Sequence, residues 1–235
     1  MSEALEKVRG INKLPIFPLP VVLMPGEIIP LHIFEPRYRQ MLDDIQAGNS
    51  LFGLSYFEPE ETEEARPPAG HFGCVAAVRE IEQMEDGRSN IVVSGVIRYR
   101  LDEYAPDDEP YLVGEISYFE DRDEEDVGKL AALTEEVSTL FTRVAEAAHK
   151  LSGERMPLPE LPDIAPQDLS FLISAAFNFE NPIKFELMKT RSTTKRLERL
   201  RAVLKQAVGK IEETAVIQQV SKTNGHSKKQ IDLDQ

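Results

Sequence analysis

Residues 14–41 read LPIFPLPVVLMPGEIIPLHIFEPRYRQM, and the order of prolines, glycine and apolar side chains here decides how the fold begins. The prolines at 15, 18, 20, 25 and 30 have no N–H to give a β-ladder. They confine the stretch to edge strands, irregular extended chain and turns. Gly26 directly after Pro25 suits a type II turn, whose third position takes a positive φ. Further on, Phe34, Tyr38, Met41, Leu42 and Ile45 fall at i, i+4, i+7, i+8 and i+11, the buried face of one helix. Pro36 fits its first turn, where no N–H is needed, and Gly48 fits its stop. Glu35 and Arg37 flank that face, where each charge can find a local partner, while Pro36, Gln40, Asp43 and Asp44 lie on its exposed side.

Outward from this stretch the first half reads as strands. Leu14–Pro20, Ile28–Ile33, Leu51–Phe57, Phe72–Gln83, Asn90–Tyr104 and Tyr111–Phe119 are β-branched or aromatic runs bounded by Gly, Pro and Asp. Asp86-Gly87 is a hairpin signal. Residues 58–70, EPEETEEARPPAG, are acidic and without apolar period, the composition of a mobile solvated loop.

Past Phe119 the period becomes helical. EDRDEED at 120–126 marks a hydrophilic junction. Val127, Leu130, Leu133, Val137, Leu140, Phe141 and Val144 then trace a stripe through about Lys150. Residues 156–166 carry four prolines and read as an extended connector. Leu169, Leu172, Ile173, Ala176 and Phe177 form a second stripe. Asn181-Pro182 reads as a helix start with Asn as cap. Ser192 can cap a last helix whose apolar positions are Leu197, Leu200, Val203, Leu204, Ala207, Val208 and Ile211. From 221 on, the sequence is polar and aperiodic, as expected of a disordered tail.

The chain has 235 residues, 41% of them hydrophobic and 29% charged, enough to bury a core without disulfides or metal. Its one cysteine, Cys74, sits inside an expected strand and reads as a small buried residue. The longest nearly unbroken apolar run, Leu19 to Pro25, is far shorter than the roughly 20 residues that cross a bilayer. Nor does the N-terminus have the basic start and apolar stretch of a secretory signal, so the expected compartment is cytoplasmic.

Net charge is −14 and uneven, −16 over residues 1–126 and +2 over 127–235. An acidic first half repels phosphate and argues against nucleic acid as partner. The residue spacings that mark common catalytic sites are missing. There is no GxxxxGK[ST] phosphate loop and no GxSxG elbow, and the four histidines (32, 71, 149, 226) include no HExxH and no close pair. Neither a cofactor nor a metal is expected, and the chain reads as non-enzymatic.

The motifs LPIFPL, VVLMPGE and PLHIFEPRY, in this order and with short gaps, resemble the opening of the Lon N-terminal domain, the substrate-recognition segment of Lon proteases. Leu51-Phe52-Gly53, Gly73 with Ala76 and Val78, Asp86-Gly87-Arg88, and Gly95 with Arg98-Tyr99-Arg100 continue the pattern. DLSFLISAAFNF followed by RLERL is similar to the family's C-terminal helical part, so the resemblance covers about residues 12–210. It implies an α+β fold, a β-rich pseudo-barrel of the PUA-like type with one inserted helix, followed by a C-terminal helical bundle. The expected boundaries are an N-terminal arm at 1–12, the barrel at 13–121, helices at 122–215 and a disordered tail at 216–235. Because neither the ATPase nor the peptidase module follows, the resemblance is to a stand-alone Lon-domain protein that binds polypeptide segments or a partner protein. A PUA-like fold leaves RNA binding as an alternative, and an unrecognised hydrolase as a second one.

Within the family motif, Pro25, Gly26, Phe34, Glu35, Arg37 and Tyr38 read as framework, with Phe34 and Tyr38 on the helix's buried face. The binding site is expected in a groove where barrel and helices meet. Between 189 and 210 eight bases face one acid. If the last helix buries its Leu197–Ile211 stripe, these bases point outward, because exposed ion pairs contribute only about 0–1 kcal/mol each and cannot outweigh apolar burial. Arg196, Arg199 and Lys205 would then form a surface for an acidic partner, a second copy of the chain included, rather than pair with the acids of residues 102–126.

Overall fold

A computed structural model describes residues 2–58, 66–106, 108–152 and 161–224, the side chains of 150–152 and 212–224 excepted. The elements run α1 (Glu3–Lys7), β1 (Lys13–Leu19), β2 (Ile28–Ile33), α2 (Pro36–Ala47), β3 (Leu51–Tyr56), β4 (Phe72–Gln83), β5 (Ser89–Tyr104) and β6 (Leu112–Phe119). The helices α3 (Val127–Ser152), α4 (Pro166–Ala176), α5 (Asn181–Lys189) and α6 (Thr193–Asn224) follow. The chain forms two compact units, one of residues 1–125 and 164–196, the other of 126–163 and 197–235.

In the first unit the sheet order is β2-β5-β4-β3-β1-β6, and β6 pairs back onto β5. Five strands therefore close into a barrel with β2 outside the ring. Strand β5 is long enough for two partners along one side: β2 lies against Ser89–Ser94 and β6 against Arg98–Tyr104. The β4–β5 hairpin turns at Asp86-Gly87, with Gly87 at φ 79°. One apolar cluster gathers under α2, where Tyr38, Met41, Leu42 and Ile45 pack with Phe17 and Phe52. A second cluster joins Leu14, Ile16, Tyr99 and Ile116 to Val8 of the N-terminal arm. The Tyr99 ring lies so close over Gly53 and Gly73 that a Cβ at either would come within 2.8 Å of it, and its hydroxyl hydrogen-bonds Ser55 at 2.7 Å.

The edge-strand rule for the prolines holds at β2 and fails in form at β1. Strand β1 carries Pro15 and Pro18 between two neighbours. It tolerates them because the neighbours are staggered: β6 pairs Lys13–Ile16 and β3 pairs Ile16–Leu19, so each half of β1 is an edge on one side. On β2, the Gly95 N–H donates to the Glu27 carbonyl at 2.9 Å. Counting on in twos puts Pro30, opposite Val92, in a non-hydrogen-bonded pair. Its missing N–H is on the side away from β5.

Other expectations are corrected. Phe34 is not on the buried face of α2 but 55% exposed, stacked on His32 with ring centroids 5.9 Å apart. Glu35 is the N-cap of α2, so Phe34 precedes the helix and the helical spacing does not apply to it. Helix α5 is capped by Glu180, with Asn181 already in its first turn; Asn181 instead donates through its side-chain nitrogen to the Pro20 carbonyl at 2.8 Å. The boundary expected at 121/122 also falls elsewhere. Helices α4 and α5 and the start of α6 belong to the barrel's unit, because Arg196 and Arg98 tie them to it. The tail expected from 216 is helical through Asn224, since residues 212–224 contain neither Gly nor Pro to stop the helix. Residues 225–235, most of the acidic loop, and residues 153–160, which include the start of the connector, lie outside the described residues.

In the second unit Leu133, Val137 and Leu140 of α3 are buried, as are Leu197, Leu200, Leu204 and Val208 of α6, the stripe the sequence shows. Among the described residues no helix is long and apolar enough to cross a membrane.

Candidate functional site

The Pro-Gly turn is the cornerstone of the first unit's most open region. Glu27 N–H donates to the Met24 carbonyl at 3.1 Å and Gly26 has φ 78°, a type II turn with Pro at its second position. Gly26 N–H donates to the Gly95 carbonyl at 2.9 Å, locking the turn onto β5. This approach needs glycine at 95: a Cβ there would lie 2.0 Å from the Met24 carbonyl oxygen. Glu27 is held on both sides, by the Met24 N–H at 2.8 Å and by Lys184 of α5 at 2.6 Å. The motif residues Pro25 and Gly26 are therefore framework, and they also line open space.

That space is a groove of about 780 Å³ whose walls include Pro25, Gly26, Ile28, Val96, Phe119 and Phe171. A second hollow of about 520 Å³ shares Pro25, Gly26, Ile28 and Val96 and adds Ile164, Leu172, Ala175 and Ala176. Helix α4 turns one face to them: Asp168, Phe171, Leu172 and Ala175 recur at i, i+3, i+4 and i+7. On β4 the register slips between Val78 and Glu80. The extra residue, Arg79, lets two neighbours that a regular strand would point to opposite faces both line the groove. Ile28 at the mouth is 66% exposed. The smaller hollow is mainly apolar and the larger one mixes apolar with charged side chains; volumes of this size suit a bound side chain or short segment.

Behind the groove lies a buried ionic cluster. Arg98 of β5 bonds Asp121 at 2.6 Å and donates to the carbonyls of Met188 and Thr190 at 3.0 and 2.8 Å. Arg196 of α6 bonds the other Asp121 oxygen at 2.5 Å, the Ser170 hydroxyl at 2.7 Å and the Thr190 carbonyl at 2.8 Å. Both guanidinium groups sit near the Phe171 ring, 5.0 and 4.0 Å from its centroid. Burial pushes the Asp121 carboxyl up, but the hydrogen bonds and charges of Arg196 and Arg98 outweigh it and hold the group below its ordinary value.

The sequence-expected residues divide. Tyr38 is buried beneath α2 and Glu35 pairs with Arg37 at 2.8 Å, a local partner as expected. Arg196 is not on a partner surface: it is fully buried and paired to Asp121, inside the acidic segment the basic helix was expected to avoid. Lys205 is exposed yet paired with Glu136 at 2.7 Å, and Arg199 is exposed on α6. These three do not make one surface. Cys74 is buried and pushed up to about 12 by desolvation, an inert thiol at neutral pH. Among the described residues no group of three or more His, Cys, Asp or Glu is placed to hold a metal ion. The sequence reading missed the groove's α4 wall, although the Leu169–Phe177 stretch holds more apolar residues than one face can bury.

A family model described as the ATP-dependent protease La (LON) substrate-binding domain matches residues 13–206. The chain belongs to that family. The Lon protease of Flavobacterium johnsoniae is 28% identical over 144 residues, covering 60% of this chain and 18% of that protein. Lon protease 1 of Syntrophobacter fumaroxidans is 24% identical over 224 residues, covering 94% of this chain and 26% of that protein. The chain thus spans about a quarter or less of the length of these Lon relatives. A Lon N-terminal domain protein of Xanthomonas campestris has the same fold, with a TM-score of 0.58 and 24% identity over 82% of this chain and 98% of that one. The LON-family domain is α+β.

Proposed function

We propose that this chain is a non-catalytic recognition module that holds polypeptide segments or a partner protein in the groove beside the Pro25-Gly26 turn, in the cytoplasm. Membership of a substrate-binding domain family supplies the class of ligand. The observation that carries the location is Ile28, a large apolar side chain 66% exposed at the mouth of two adjoining hollows, the smaller of them mainly apolar. Apolar surface left open beside a concave wall marks a contact site. Nucleic acid is disfavoured, because the first 126 residues carry a charge of −16 and repel phosphate.

The test is photo-crosslinking. A photoreactive phenylalanine at position 28, and a control at exposed Val127 in the second unit, would be irradiated with an unfolded, carboxymethylated protein. Adducts at 28 and not at 127 are the expected result. Equal labelling at the two positions, or none at either, would refute the location.

A further inference from the structure

The charges lining the groove are unequally satisfied. Its bases are Lys7, Arg79 and Arg98. Lys7 pairs with Glu3 at 2.8 Å and Arg98 with Asp121 at 2.6 Å, while the Arg79 guanidinium is tethered to the Ser94 hydroxyl at 2.7 Å. Its other acids are Glu80, Glu120 and Asp168, and among the described residues none of these three carboxylates makes an ion pair or side-chain hydrogen bond. Three unsatisfied carboxylates thus stand against one uncompensated base. Asp168 is the best placed of them, since it borders both hollows. Burial raises its carboxyl above the ordinary value, and the charge of Arg196 offsets this only in part. Asp168 is nonetheless exposed at the groove wall, so an incoming cation can reach it, and an unpaired carboxylate there favours a cationic ligand over an acidic one.

The geometry points to a specificity: the groove selects apolar peptide segments flanked by lysine or arginine, the apolar side chains seated against Ile28, Val96 and Leu172 and a cationic one paired with Asp168. This inference rests on the peptide-binding role proposed above and adds the chemistry of the ligand. Glu80, brought to the same wall by the β4 bulge, and Glu120 extend the negative rim. Acidic segments are repelled by the same groups, so the groove discriminates by charge as well as by apolarity.

Fluorescence anisotropy on the full chain can test it, with short labelled peptides that share one Leu/Ile core and differ only in lysine, glutamine or glutamate flanks. The lysine peptide is expected to bind about three- to tenfold more tightly than the glutamine one at low salt, with the gap closing at high salt. In Asp168→Asn the gap should shrink while the glutamine peptide binds as before, a readout that a misfolded variant would not give. Equal binding of lysine and glutamine peptides overturns the specificity and leaves the recognition role standing. A lysine preference undiminished in Asp168→Asn and in Glu80→Gln also overturns it. Binding of none of the three peptides removes both.

Discussion

The buried cluster and the groove are built from the same pieces and use charge in opposite ways. Helix α4 gives Ser170 to the cluster and Asp168 and Leu172 to the groove, and Phe171 and Arg98 border both. In the cluster one carboxylate is shared by two guanidinium groups, and their remaining N–H groups find carbonyls and a hydroxyl. In the groove, a few residues away, carboxylates have no such partners among the described residues. Satisfied charge fastens β5, the segment after β6, α4 and the α5–α6 turn together. Unsatisfied charge on a rigid wall is available to a ligand.

The largest expected effect comes from breaking the fastened side. Asp121→Ala leaves two buried guanidinium groups uncompensated, a class of change that costs about 3–5 kcal/mol. Urea unfolding would measure it, and a loss below about 1 kcal/mol would mean that the two arginines are satisfied without Asp121. Gly95→Ala should come next, at about 1–3 kcal/mol, since its methyl meets a backbone carbonyl that cannot move without undoing the Pro-Gly turn. A thermal midpoint equal to that of the parent would show that the turn yields.

The pH dependence is smaller and has a definite sign. Desolvation, with the nearby Lys189 charge, lowers the His71 pKa below 6.5. Its Nε2 bonds the Tyr56 carbonyl at 2.8 Å and its ring stacks on Phe185 of α5. With the folded value depressed, the unfolded chain binds the proton more readily. Stability from this group is complete above the unfolded value and falls as pH drops below it toward the folded value. Melting curves between neutral pH and pH 5 should therefore slope less for His71→Gln than for the parent; parallel slopes would assign the dependence elsewhere. Smallest of all, Asp168→Asn should change stability by no more than about 0.5 kcal/mol, in contrast to Asp121→Ala. A large loss would show that Asp168 belongs to the framework.

Most strands could be placed from the sequence to within a residue, because each run is punctuated by Gly, Pro or Asp and the alternation is local information. Ile28–Ile33 and Phe72–Gln83 have the expected limits. What failed depended on distance or on helix ends. Arg196 and Asp121 are 75 residues apart, and no local pattern links them. A clue was present, since Arg196 is one helical turn before Leu200 and two before Leu204, on the buried stripe itself. A charged residue on such a stripe asks for a buried partner. Phe34 misled for the opposite reason: a helical period was extended one residue beyond the helix cap. The groove's apolar lining was legible only as composition, because which apolar residues stay exposed depends on where α4 lies against β5.

Pro30 has a consequence for a chain proposed to hold unfolded segments. Strand β2 is a bare edge carrying Ile28, and unfolded chains brought to it could pair backbone to backbone and seed a growing cross-β stack. The ring nitrogen of Pro30, turned away from β5, breaks the outward row of donors at its middle. A ladder built on this edge would be interrupted at Pro30, which shortens any backbone pairing with an incoming chain. Replacing Pro30 with valine would complete the row, and the cost would show as fibre formation in the presence of unfolded protein.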